Sequence, residues 1–192
     1  MTPASTSKLL LRQLAWLCFP RAATQGKTAG MSHVARILDL ADEAATRQLG
    51  AALAGLLRQG DLLLLRGDLG AGKTTLARAL IKARLATYGL DEDVPSPTFT
   101  LVQTYDCPGP HLTHVDLYRI DDERELRELG LEEALDEGVV LVEWPQKADR
   151  ELATLSPDRL DISLTLMPEG ARRVVLTGHG TWVRRLEGIE IA

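Results

Sequence analysis

Apolar residues recur along this chain with two different periods, and the changes of period mark out its elements. Val34 to Leu38 is a short apolar segment that reads as an edge strand. Leu49, Ala52, Leu53, Leu56 and Leu57 then follow the i, i+3, i+4, i+7, i+8 spacing of one helix face, predicting an amphipathic helix from about Asp42 that stops at Gly60. Leu62-Leu63-Leu64-Leu65 comes next, bounded by Asp61 and Arg66. A run that short, with no polar alternation, suits a strand buried on both faces, as in a parallel sheet. After a glycine-rich stretch, Leu76, Ala79, Leu80 and Ala83 give a second helical stripe that ends near Gly89.

The second half is richer in strands. Thr100–Tyr105 and Leu112–Tyr118 are candidates, separated by the Pro108-Gly109-Pro110 turn. Residues 121–137 are acidic and helical in pattern. Val139-Val140-Leu141-Val142 is a second fully apolar run. Leu160, Ile162, Leu164 and Leu166 alternate with Asp161, Ser163 and Thr165, a strand with one wet face, and Arg172 to Thr177 is placed to pair with it. Strand, glycine loop, helix and further strands together predict an α/β fold with a mixed sheet.

Composition narrows the classes. At 192 residues, 45% of them hydrophobic, the chain is long enough for one domain with a full core. Its two cysteines, Cys18 and Cys107, lack metal-ligand spacing and suit a reduced, cytoplasmic setting better than a disulfide framework. No run of 18 apolar residues occurs, so no membrane span is expected. Residues 1–30 carry four basic residues and no acidic one, which leaves 18 basic against 27 acidic residues, a net of −9, in 31–192. That balance is poor for direct binding of nucleic acid. The leader has no unbroken apolar stretch and no obvious small-x-small cleavage site; a transit peptide fits it better than a secretory signal. We read it as a poorly ordered leader or an extension upstream of a true start at Met31, with 31–192 as a single domain.

The chemistry concentrates in Gly67-Asp68-Leu69-Gly70-Ala71-Gly72-Lys73-Thr74, which matches G-x-x-x-x-G-K-[ST] at every fixed position. Glycines let the backbone curl and turn successive N–H groups inward, where they join the amides of a helix start to hold phosphate oxygens. Lys73 is placed to reach the β- and γ-phosphates, and the Thr74 hydroxyl to ligate Mg²⁺. The loop lies between a buried strand and an amphipathic helix, the context such a loop requires.

A phosphate loop needs an acidic partner for its metal, usually at the end of a neighbouring buried strand. Glu143 and Asp116 both qualify. Glu143 is the preferred Mg²⁺ ligand because the run before it is fully apolar; Asp116 is then free to orient or activate the attacking water. The chain contains no asparagine, so it lacks the Asn-Lys-x-Asp element that usually reads guanine, and ATP is the expected nucleotide. The hydroxyls of Ser96-Pro97-Thr98-Phe99-Thr100 are candidates to meet the γ-phosphate or the metal, with a rigid loop as the plainer alternative. His111 and His114 have no metal-site company and are assigned structural roles. Arg119, Arg124, Arg172 and Arg173 are assigned to the surface.

Taken together, residues 67–75, Ser96-Pro-Thr-Phe-Thr-Leu-Val102, His114-Val-Asp-Leu-Tyr-Arg119 and Glu143-Trp-Pro145 resemble the TsaE family, also described as the YjeE-type P-loop ATPases. The likeness runs from about Asp42 to Lys147; beyond Ser156 it extends only to a pair of strands. It implies a P-loop NTPase-like fold with a mixed, mostly parallel sheet flanked by helices. It implies ATP hydrolysis with Mg²⁺ in support of threonylcarbamoyladenosine formation beside the tRNA anticodon, and a TsaB–TsaD heterodimer as partner. TsaD carries the transfer, and tRNA is met only through that complex. By position it implies that Thr74 and Glu143 hold the metal, that Lys73, Asp116 and Glu143 serve turnover, and that Asp68, Leu69, Gly70, Ala71, Gly72, Lys73, Thr74 and Thr75, together with Thr46 and Trp144, line the nucleotide. A small-molecule kinase, a non-catalytic ATP-binding module and a direct tRNA binder remain rival readings of the same loop.

Overall fold

A computed structural model describes residues 34–189; the 1–30 leader lies outside the described residues. Seven strands form one sheet in the order β1-β7-β6-β2-β5-β4-β3. They are β1 (Val34–Leu40), β2 (Leu62–Arg66), β3 (Val102–Tyr105), β4 (His111–Asp116), β5 (Gly138–Glu143), β6 (Arg159–Leu166) and β7 (Arg172–Gly178). β6, β2, β5 and β4 run parallel at the centre. β7 and β3 are antiparallel to their neighbours, and β1 closes one edge antiparallel to β7. The mixed sheet with a parallel centre is the architecture expected.

The two apolar runs show why the centre is parallel. In β2, Leu63 and Leu65 face one core while Leu62 and Leu64 face the other. In β5, Leu141 joins the first core and Val140 and Val142 the second. Both faces must then be covered, which the crossover helices of a parallel sheet do. One face is packed by α1 (Glu43–Ala54), α2 (Lys73–Ala86) and Trp182 of α6 (Trp182–Arg185). The other is packed by α3 (Glu123–Glu128), α4 (Leu131–Glu137) and α5 (Asp149–Leu155). Each fully buried leucine contributes roughly 1.5–3 kcal/mol to this arrangement.

Element ends differ from the sequence expectation in several places. Asp42 caps α1 as its position suggests, its carboxylate accepting from the Ala45 N–H at 2.8 Å. The helix stops at Ala54 with Gly55 as cap, however, so Leu56 and Leu57 follow it in a turn and reach the same core from outside the helix. The acidic segment is two helices rather than one, because Gly130 at φ 64° turns the chain between α3 and α4. Leu101, also at positive φ, holds the start of β3 back to Val102. β4 ends at Asp116 rather than Tyr118.

Two close contacts and one ion pair fix the frame. A Cβ at Gly50 would lie 2.8 Å from the Ala79 Cβ and 2.9 Å from the Leu80 nitrogen, so this glycine lets α1 lie against α2. Gly138 opens β5 directly against the His111 backbone, where a side chain would collide. Asp61 and Arg185 form a buried bidentate pair, both bonds at 2.6 Å; Arg185 also donates to the Leu56 carbonyl and lies over the Trp182 ring. No helix among the described residues is long and apolar enough to cross a membrane.

Candidate functional site

The site lies at the carboxyl ends of the parallel strands, where open α/β sheets bind their ligands. β2 runs into the loop 67–72, which curls through three glycines at positive φ: Gly67 at 142°, Gly70 at 80° and Gly72 at 104°. Gly67 abuts the Leu164 carbonyl of β6 too closely to carry a Cβ. Gly72 then starts α2 without any side-chain cap, so the first amides of that helix stay available to an anion. Ala71 is buried beneath the loop, while Asp68 and Leu69 stand exposed at its tip; Thr75 is half-buried.

Lys73 is folded into this curl. Its ammonium donates to the Gly67 and Asp68 carbonyls at 2.8 and 2.9 Å and sits 3.7 Å from the centre of the Trp144 ring. Burial pushes its pKa below the ordinary lysine value, against the opposing pull of Glu143, Asp116 and Asp68. Trp144 adopts the left-handed conformation, φ 57° and ψ 44°, and its ring also meets Tyr118 at a centroid distance of 5.0 Å. A non-glycine residue held there is strained, and such strain clusters at working sites.

Strand parity brings the acidic groups to the same place. Leu112 and Leu141 face the α2 side of the sheet, so His114 and Asp116 in β4 and Glu143 in β5 face it too. Asp116 and Glu143 are direct register partners on adjacent parallel strands. The Thr74 hydroxyl donates to Glu143 Oε2 at 2.8 Å. Asp116 accepts from the Thr98 hydroxyl at 2.8 Å and from the Tyr118 N–H at 2.9 Å. Ser96 joins Thr98 hydroxyl to hydroxyl, and the Asp116 N–H donates to the Leu101 carbonyl, so the loop 95–101 is fastened to Asp116 through both its side chain and its backbone.

The structure therefore brings Lys73, Thr74, Asp116, Glu143 and Trp144 together around the glycine loop. The hard oxygens of Thr74 and Glu143, side by side, the first half-buried and the second buried, suit a small divalent cation such as Mg²⁺ that takes its remaining ligands from phosphates and water. Thr46 is buried in α1, and its hydroxyl is spent on the Asp42 carbonyl at 3.2 Å. Two residues assigned to plainer roles are drawn in. Arg172 is only half exposed, and its Nε lies 3.6 Å from where a Cβ on Gly72 would stand. His114 is fully buried, with Nε2 at 2.9 Å from Glu143 Oε1. The signal for His114 was its place two residues before Asp116, which puts both on one face of the strand.

The family described as "Threonylcarbamoyl adenosine biosynthesis protein TsaE" matches residues 40–174, a span that includes the loop, both carboxylates and much of the β6–β7 hairpin. The chain is similar to a tRNA threonylcarbamoyladenosine biosynthesis protein TsaE of Streptomyces coelicolor, 39% identical over 141 residues, covering 70% of this chain and 90% of that one. A protein of the same description from Bacillus subtilis is 35% identical over 136 residues, covering 70% and 80%. The crystal structure of Bacillus subtilis YdiB superposes with a TM-score of 0.62 at 27% identity, covering 83% of this chain and 94% of that one. By its match over most of its length, this chain belongs to the TsaE family of threonylcarbamoyl adenosine biosynthesis proteins.

Proposed function

We propose that this protein is a Mg²⁺-dependent ATPase of tRNA threonylcarbamoyladenosine biosynthesis, working in the cytoplasm on a TsaB–TsaD complex rather than transferring the threonylcarbamoyl group itself. The observation that carries this reading is the 2.8 Å bond from Thr74 in the glycine loop to Glu143 on a distant strand. It joins the two oxygens that a P-loop enzyme uses for its metal.

The residues divide the work. Amides of residues 68–75 and the start of α2 hold the phosphates. Lys73 exchanges its bonds to the Gly67 and Asp68 carbonyls for phosphate oxygens. Thr74 and Glu143 hold the metal, which supplies charge neutralisation at the transferring phosphoryl group. Asp116 orients the attacking water, its own position set by Thr98 and Tyr118. Trp144 covers the Lys73 ammonium. Water is the acceptor; the α3–α4 segment carries Arg124 and Arg127 but is acidic, which suits it poorly to be the lid of a small-molecule kinase.

P-loop enzymes that lack a positioned arginine are slow, and one supplied by a partner adds ~10³–10⁵ in rate. Leu69 and Phe99 stand exposed on the two loops of the site, apolar surface that a partner would cover. The deciding experiment measures phosphate release from Mg·ATP by the chain alone, with TsaB–TsaD, and with each partner singly. The expected result is slow release alone and a clear stimulation by the heterodimer. Unchanged release across all mixtures would refute the coupling.

A further inference from the structure

We infer that His114 is a positioning residue for the metal-side carboxylate: it fixes which oxygen of Glu143 is left to face Thr74. This deepens the functional reading above and rests on it. His114 has no exposed surface and lies on β4, with its ring turned to the α2 face. Its Nε2 stands 2.9 Å from Glu143 Oε1, and Thr74 takes the other oxygen, Oε2, at 2.8 Å. A carboxylate only accepts, so the imidazole donates. The ring's second nitrogen, Nδ1, is buried with no hydrogen-bond partner among the described residues.

A histidine kept for packing would be replaced without loss by an apolar ring or a leucine, and one kept for a polar network would use both nitrogens. Here a buried polar ring makes one bond, and that bond goes to the Glu143 carboxylate. Glu143 ends its strand with a side chain of three rotatable bonds, and Trp144 immediately after it is in a strained turn. Without the His114 donor on Oε1, the Thr74 hydroxyl is left as the one side-chain hydrogen bond to this carboxylate among the described residues. Outer partners that orient metal-ligating carboxylates typically carry 10–100-fold in metal affinity.

The test compares the parent chain with His114→Leu and His114→Gln. Glutamine can present an N–H donor at about the reach of Nε2; leucine fills the space and donates nothing. Calorimetry measures binding of a non-hydrolysable ATP analogue with EDTA and across a Mg²⁺ titration, and circular dichroism melting confirms that each variant is folded. The expected result is that His114→Leu binds the analogue in EDTA within about 2-fold of the parent. Its Mg²⁺-dependent gain in affinity should fall ~10–100-fold, and His114→Gln should recover most of that loss. A leucine variant with the parent's Mg²⁺ dependence overturns the inference, as does a loss of equal size with and without metal, which would mark a purely structural role. A parent chain that takes up no nucleotide under either condition would sink the functional reading itself, and this inference with it.

Discussion

Replacing Glu143 by Gln separates the metal role of the site from its structural role, because glutamine can keep both contacts of the free protein. Its carbonyl can accept from His114 Nε2, and its amide can donate to the Thr74 hydroxyl, in place of the 2.9 and 2.8 Å bonds the carboxylate makes. Two charge-assisted bonds of about 1.5–3 kcal/mol become neutral bonds of about 0.5–1.5 kcal/mol each. Against that loss, a carboxylate that is almost wholly buried no longer has to be desolvated, a relief of several kcal/mol. The free variant should therefore melt within a few degrees of the parent. With Mg·ATP the two should diverge. At a hundred times its dissociation constant a ligand adds about 2.7 kcal/mol, or about 5–11 °C at 2–4 °C per kcal/mol for a chain of this size. If loss of the charged oxygen weakens metal-dependent binding by about 100-fold, the same concentration adds only about 0.4 kcal/mol, roughly 1 °C. Differential scanning fluorimetry with ATP and Mg²⁺, against ATP and EDTA, reads both quantities in one experiment. A Glu143→Gln protein with the parent's full Mg²⁺-dependent shift would refute the assignment of the metal to this carboxylate.

Three other perturbations probe neighbouring groups. Asp116→Asn should bind Mg·ATP nearly as the parent does yet release phosphate about 10²–10⁴ times more slowly, the usual weight of a positioned proton acceptor; isothermal binding and phosphate assays on one preparation check this. Lys73→Met should release no phosphate above background, and it should also change the pH dependence of stability. The folded pKa of Lys73 lies below its unfolded value of 10.5, so between the two the unfolded chain holds more protons and stability rises with pH. Urea melts across that alkaline window should show the rise in the parent and its loss in the variant. Arg185→Met leaves Asp61 buried without its partner and should cost about 3–5 kcal/mol; adding Asp61→Leu should recover part of it in chemical denaturation, since no orphaned charge then remains.

The parts of this fold that were legible were those whose cause is local. Four consecutive leucines or valines bounded by polar residues suit a strand buried on both sides, so β2 and β5 stood out, and the glycine spacing between β2 and α2 gave the loop. Glu143 and Asp116 were found because each stands at the end of a predicted strand, Glu143 after a fully apolar run. What stayed hidden depended on which strands became neighbours. His114 could be placed on the face of Asp116 by alternation alone, but its bond to Glu143 needs β4 and β5 to be adjacent, parallel and in a particular register, which no local pattern states. Arg172 reaches the glycine loop only because the β6–β7 hairpin packs beside β2. The two errors of helix length had local signals that apolar spacing outweighed: Gly55 stood at the true end of α1 and Gly130 at the break between α3 and α4. The left-handed backbone at Trp144 had no such signal, since a tryptophan rarely adopts it.

The alignment of β4 with β5, residue against residue from His111 opposite Gly138 to Asp116 opposite Glu143, works as a combination lock. Side chains alternate between the two sides of a strand, so sliding one strand by a single position would swing its acid through the sheet to the layer of α3 and α4. No partial version of the centre exists between the two alignments. Harm done at the Gly138 end, about five residues and roughly 17 Å from the acids at 3.3 Å per residue, would therefore silence the chemistry outright instead of dimming it.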